Sequence, residues 1–228
     1  MTPWAKQAAL VYKYALGQHR QGIHFPVRGT CLGFEAGAVA LNDGEDKRFR
    51  IPAQKGMAPL RIEPGAESAR VLSGERRPEH LLRRLEDVDD PPAAFFHVFA
   101  VPPSAYEGDS PLASLFRVVA TATDSNGRRF VSMVEGRDGL PIWGSQFHPE
   151  KNEFVNHTLV SHTNRSIEVG RYFGQFFVGE ARSASAFRRE EAQASEFLHG
   201  LKPRKSHTPI PPKWTNPSGT PFSFDEAA

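Results

Sequence analysis

The feature that most constrains this chain is a five-residue run, Gly29-Thr30-Cys31-Leu32-Gly33, set between two unlike neighbours. Before it, Ile23-His24-Phe25-Pro26-Val27 is a short apolar stretch that reads as a strand. After it, Phe34-Glu35-Ala36-Gly37-Ala38-Val39-Ala40-Leu41 continues as a helix. A nucleophile with glycines two residues away on either side is the form of a strand that turns sharply into a helix and lifts one side chain above the sheet edge. A buried strand feeding a helix in this way implies an α/β fold, with helices packed on a sheet. The start of that helix favours a thiolate, and the N–H of Leu32, next after the nucleophile, is the natural donor to a developing oxyanion.

Cys31 is the single cysteine. A lone thiol excludes an intrachain disulfide framework and a multi-cysteine zinc site. It leaves a buried small apolar residue or a nucleophile, and a nucleophile needs a base. Of the nine histidines, His148 stands out because it ends the apolar run Pro141-Ile142-Trp143-Gly144-Ser145-Gln146-Phe147. In an open α/β sheet the carboxyl ends of the strands line the site. Glu150 is two residues on, where its carboxylate can orient the imidazole through the other ring nitrogen. His24, in an apolar run, reads as a core histidine. His19, His80, His199 and His207 sit among polar residues and read as surface. His157 and His162 lie just past the His-Pro-Glu run and are candidates to line the cleft.

Around this centre the chain reads as one large α/β domain over 1–185 and a polar, Pro-rich extension over 186–228. A first helix is expected from Thr2 (cap) and Pro3, with an apolar stripe of Trp4, Ala8, Val11 and Ala15 flanked by Leu10 and Tyr14, stopping at Gly17. Short strands are expected near Phe49–Ile51 and Arg70–Leu72, a helix near Pro78–Leu85, and a strand over Ala94–Val101 carrying His97. Phe116–Thr123 and Arg129–Glu135 flank Asn126-Gly127, a strong hairpin signal. A final helix over Thr163–Arg182 puts Val169, Tyr172, Phe173, Phe176 and Phe177 on one face, as core. With 28 Lys+Arg against 26 Asp+Glu the formal net charge is +2, which gives no reason to expect nucleic acid or an anionic membrane as partner. No apolar run has the length of a membrane span, and the first residues lack the pattern of a signal peptide. No metal or cofactor is called for.

Two longer segments carry a resemblance. Phe25-Pro26-Val27-Arg28-Gly29-Thr30-Cys31-Leu32-Gly33-Phe34-Glu35 resembles the nucleophile segment of the γ-glutamyl hydrolases, folate-processing cysteine peptidases of the class I glutamine amidotransferase fold. Gln146-Phe147-His148-Pro149-Glu150-Lys151-Asn152 resembles their catalytic histidine segment, and Phe96-His97 a segment whose histidine lines their substrate pocket. The likeness runs from about Pro3 to Arg182, with a weaker echo in Pro221-Phe222-Ser223-Phe224-Asp225. It implies a three-layer sandwich with a mostly parallel central sheet and a β-hairpin extension at one end.

The resemblance further implies hydrolysis of γ-glutamyl bonds, in folylpoly-γ-glutamates above all, through a thioester. Cys31 is then the nucleophile, His148 the base and acid, Glu150 its orienting group and the Leu32 N–H an oxyanion donor. Glu35 is expected near the glutamyl ammonium and His97 near a substrate carboxylate. A homodimer and a lysosomal, vacuolar or extracellular location also follow from the likeness, and the sequons at Asn156 and Asn164 fit it. Two departures are visible: Arg28 stands where the family usually has an aromatic residue, and the family's first strand, helix and strand, with a Gly-Gly loop, have no counterpart ahead of Pro3. Two alternatives follow: a γ-glutamyl-binding homologue of impaired or no activity, or a glutaminase-type domain. Glu35 and the Phe25-Pro26 lead-in argue against the glutaminase.

Overall fold

The computed structural model describes residues 3–74 and 77–184. In chain order the elements are α1 (Pro3–Arg20), β1 (Val27–Thr30), α2 (Leu32–Ala40), β2 (Phe49–Ala58), β3 (Arg61–Ile62), α3 (Arg70–Ser73), α4 (Leu81–Leu85), β4 (Ala93–Ala100), α5 (Pro111–Leu115), β5 (Phe116–Thr123), β6 (Arg129–Gly136), β7 (Ile142–Ser145), α6 (Lys151–Phe154) and α7 (Asn164–Ser183). Five strands form one sheet in the order β1-β7-β6-β5-β3, and β2 pairs with β4 in a second ladder. Thr2 and the extension over 186–228 lie outside the described residues.

The α/β class and the layering follow from which residues each strand buries. On one face Tyr12, Ala15, Phe34 and Ala38 of α1 and α2 pack with Val131, Val134 and Ile142. On the other, Leu81 and Leu85 of α4 and Val169, Tyr172 and Phe173 of α7 pack with Val119, Met133 and Trp143. Fully burying each Val, Leu, Ile, Phe or Met among them contributes roughly 1.5–3 kcal/mol, so both helical layers are held chiefly by apolar contact with the sheet. Thr163 caps α7, its side chain accepting from the Ser166 N–H.

The sheet is less parallel than expected. Only β1 and β7 run parallel; β7-β6, β6-β5 and β5-β3 are antiparallel. The reason is connection length: short loops join β5 to β6 and β6 to β7, and such loops permit only antiparallel pairing. The hairpin is correspondingly not an appendage but the middle of the sheet. Its turn is fixed by Asp124, whose Oδ1 accepts from the N–H groups of Asn126 and Arg128, and by Gly127 at φ 76°.

Local expectations are corrected in four places. Helix α1 runs through Gly17 and stops at Gly22 (φ 73°), where the Ile23 N–H bonds Gln18 O and the Gly22 N–H bonds His19 O, a Schellman closure. It buries Tyr12 and Ala15, while Trp4, Leu10, Val11 and Tyr14 of the expected stripe face outward. Strand β1 begins at Val27, because Pro26 has no N–H for the ladder; the Val27 N–H makes its first bond, to Pro141 O. Residues 70–73 are helical rather than extended, because buried Glu135 accepts from the N–H groups of Arg70 and Val71 and so caps α3 from across the sheet.

Candidate active site

The one parallel pair builds the site. Gly29 stands opposite Gly144 and Thr30 opposite Ser145, and the Cys31 N–H extends the ladder by donating to Ser145 O at 2.7 Å. Two parallel neighbours end at the same edge. The residue after β1 is Cys31, and the residues after β7 are Gln146, Phe147 and His148. Strand β4 closes the third side: the His148 N–H donates to Ala94 O, and the Cys31 thiol lies 3.9 Å from Phe96 O. The Phe96 ring stands edge-on to the rings of His148 and His157, at 6.4 and 5.3 Å between centroids.

Cys31 has φ 52° and ψ −111°, outside the ordinary regions for an L-residue. The turn is tight: a Cβ at Gly29 would stand 2.0 Å from the Tyr12 hydroxyl and 2.8 Å from Phe34 N. That hydroxyl donates to Gly33 O. A Cβ at Gly33 would meet nothing, so of the two flanking glycines the packing requires only the first. Burial pushes the Cys31 thiol up to about 11, helped by the Glu35 charge and opposed by the Leu32 N–H and by Lys151. The thiol of the resting protein is therefore neutral near pH 7.

His148 Nδ1 lies 2.6 Å from Glu150 Oε1, which leaves Nε2 as the nitrogen free to exchange a proton. Burial would raise the Glu150 carboxyl, but the hydrogen bond and charge of His148 outweigh it and hold Glu150 below the usual carboxylate range. Helix α7 seats this segment, since a Cβ at Gly170 would stand 2.3 Å from Pro149 O. Arg28, at the departure from the family pattern, donates to Phe173 O at 2.9 Å and lies over the Phe173 ring. It clamps β1 to α7.

Glu35 and His97, the expected substrate contacts, are each held by partners within the protein. Glu35 is 3% exposed. Its Oε1 accepts from Gln146 Nε2 at 3.0 Å and its Oε2 from Arg48 Nη1 at 2.9 Å, so each oxygen is engaged within the protein. His97 is buried and Nδ1 bonds Phe99 O at 2.7 Å; a carbonyl only accepts, so Nδ1 carries the proton. Its Nε2 has no partner among the described residues, and burial lowers its pKa. His162 bonds Asn152 O, and His24 pairs with Glu180 at 3.1 Å.

Sequence reasoning missed Gln146 and Arg48. Gln146 is fully buried and also lies 3.9 Å from the Cys31 sulfur. An amide inside an otherwise apolar strand was the available signal for it; Arg48 sits in a charged stretch that offered none. Among the described residues no cluster of His, Cys, Asp and Glu has the arrangement of a metal site, and no helix is long and apolar enough to cross a membrane.

No protein-family model matches the chain. Known proteins do. γ-Glutamyl hydrolase 1 of Arabidopsis thaliana is 28% identical over 207 residues, covering 88% of this chain and 58% of that protein. γ-Glutamyl hydrolase of Homo sapiens is 30% identical over 197 residues, covering 86% and 60%. γ-Glutamyl hydrolase B of Dictyostelium discoideum is 27% identical over 203 residues, covering 88% and 57%. The chain is a sequence relative of the γ-glutamyl hydrolases. It spans less than two thirds of the length of these γ-glutamyl hydrolases. A solved structure of a GMP synthase subunit from Thermoplasma acidophilum matches at 17% identity and TM-score 0.42, over 73% of this chain and 64% of that one. That likeness is too slight to assign the fold, which rests on the elements themselves.

Proposed function

We propose that this chain hydrolyses γ-glutamyl bonds with Cys31 as nucleophile. The observation that carries the reading is the parallel β1–β7 register, which ends both strands at one edge and so brings Cys31 and the His148–Glu150 pair against Phe96. As the sulfur attacks the γ-carbonyl carbon, the thiol proton passes to His148 Nε2, and Glu150 stabilises the imidazolium through Nδ1–H. Because the resting thiol is neutral, this transfer accompanies attack rather than preceding it. The carbonyl oxygen gains charge and is met by the Leu32 N–H. Collapse breaks the C–N bond, His148 returns the proton to the leaving amine, and a thioester remains. Water then attacks the thioester while His148 takes its proton; the second collapse restores the thiol and frees the γ-carboxylate.

The relatives' names support a γ-glutamyl bond as the target, and the resemblance extends this to a folylpoly-γ-glutamate or a similar γ-glutamyl chain. Asn156 and Asn164, the sequon acceptors, are both exposed, which supports a secretory route to a lysosome, vacuole or the outside. The test is hydrolysis of a pteroylpoly-γ-glutamate by the purified chain, followed by release of glutamate or glutamyl peptides. Turnover that vanishes in Cys31→Ser supports the reading; turnover retained by that variant rejects it.

A further inference from the structure

Three charged groups act on the Cys31 sulfur, Glu35 from α2 and Glu150 and Lys151 from the segment after β7, and His148 lies against the same Phe96 that the sulfur approaches. Of these Glu35 is the one whose negative charge opposes a thiolate from inside the core, and it is not left alone there. The chain turns back after α2 and returns Arg48 to it, with Nη1 on Glu35 Oε2 at 2.9 Å. Arg48 is itself held in place. Asp46 Oδ1 accepts from its backbone N–H at 3.0 Å and from Nε at 2.9 Å, Asp46 Oδ2 accepts from Nη2 at 2.7 Å, and the guanidinium lies over the Phe99 ring. The other Glu35 oxygen takes the Gln146 amide, whose Nε2 also stands 3.9 Å from the sulfur. Gln146 Oε1 has no partner among the described residues, so the Glu35 bond is what sets the amide's orientation toward the sulfur.

We propose that Arg48 is a positioning residue for the nucleophile, acting through Glu35: it offsets the buried carboxylate and fixes the Gln146 amide against the sulfur. The proposal rests on the reading of Cys31 as nucleophile. Arg48 reaches the thiol only by way of the carboxylate; the direct influences on Cys31 are Glu35, Leu32, Lys151 and Glu150. Burial raises the Glu35 carboxyl, while the Gln146 and Arg48 bonds and the Arg48 charge oppose the rise; a Glu35 that keeps its charge without Arg48 moves a neighbouring acid by about one pH unit. Since the thiolate is the reactive form, one unit is about a tenfold change in alkylation rate below the thiol's own titration.

The test uses the full chain and iodoacetamide, with carbamidomethylation of the Cys31 peptide, located by proteolysis and mass spectrometry, as readout; Cys31 is the single cysteine. Alkylation rates are taken from pH 7 to 9.5 in the parent, Arg48→Ala, Arg48→Lys, Glu35→Gln and the double variant. Arg48→Ala is expected to lower the rate about tenfold at every pH, Arg48→Lys to restore most of it, and Glu35→Gln to raise it. In the Glu35→Gln background Arg48→Ala is expected to change nothing further. An Arg48→Ala rate equal to or above the parent's overturns the proposal, as does an equal loss in the Glu35→Gln background. Should Arg48→Ala not unfold cooperatively, Arg48→Gln, which removes the charge and keeps a donor, carries the same expectation. No γ-glutamyl substrate enters the assay, so failure of the hydrolase reading leaves this result standing, and the reverse.

Discussion

Helix α7 offers a matched pair of substitutions whose outcomes should differ in sign. Gly170 and Gly174 sit one turn apart, and both are helical glycines. A Cβ at Gly170 would stand 2.3 Å from Pro149 O, a backbone atom in the segment that carries His148 and Glu150. A Cβ at Gly174 would meet nothing within 4 Å. Gly174→Ala therefore keeps only the propensity gain of alanine over glycine, about 1 kcal/mol, or a rise of roughly 2–4 °C in melting temperature for a chain of this size. Gly170→Ala gains the same propensity but must push the helix and the Pro149 backbone apart by about 1 Å, and overpacking of that kind typically costs about 1–3 kcal/mol. A shift of about 1 Å at the histidine segment also costs on the order of 100-fold in turnover. Thermal unfolding and γ-glutamyl hydrolysis measured side by side check both halves. If Gly170→Ala matches Gly174→Ala in stability and in rate, α7 does not seat the His148 segment as described.

Other consequences are equally specific. His148→Ala should lower turnover by at least about 100-fold while Cys31 remains intact, and Glu150→Gln should lower it comparably, since its amide can donate to Nδ1 and hold the imidazole in the wrong tautomer; steady-state kinetics decide. Glu135→Ala should cost about 3–5 kcal/mol in thermal or urea unfolding, because it orphans the N–H groups that start α3 and the Trp143 Nε1 and Arg117 donors that share the buried carboxylate. The Cys31 thiol is raised in the folded state, so the unfolded chain loses its proton first as pH rises. Its contribution to stability is complete below the ordinary thiol range and fades as pH climbs toward about 11; Cys31→Ser should remove that alkaline slope from a series of melting temperatures.

The parts of this fold that the sequence declared were those in which local and tertiary preferences agree. The Asn126-Gly127 hairpin, the aromatic face of α7 and the turn at Cys31 each combine a local signal with an apolar pattern, and each lies where expected. The misread parts were settled at long range. Nothing near Arg70 announces a helix, because its cap is Glu135 on a distant strand. The outward turn of Trp4 and Val11 was hidden because α1 packs through Tyr12, which inserts between Gly29 and Gly37 where a Cβ would collide. At the candidate site, the ends of two apolar runs mark Cys31 and the His148–Glu150 pair in the sequence, and the structure places them just after β1 and β7. The engagement of Glu35 by Arg48 and Gln146 was not, since a buried carboxylate and a substrate-binding one look alike until their partners are placed.

The claim beneath all of this is that the two chain segments meet as one reactive unit. Incubating the protein with a pteroyl-γ-glutamyl analogue that carries an electrophile at the γ-carbon, then mapping the adduct by mass spectrometry, tests it directly. One adduct is expected, on Cys31, formed far more slowly in His148→Ala; no adduct, or one formed at the same rate without His148, would contradict the claim.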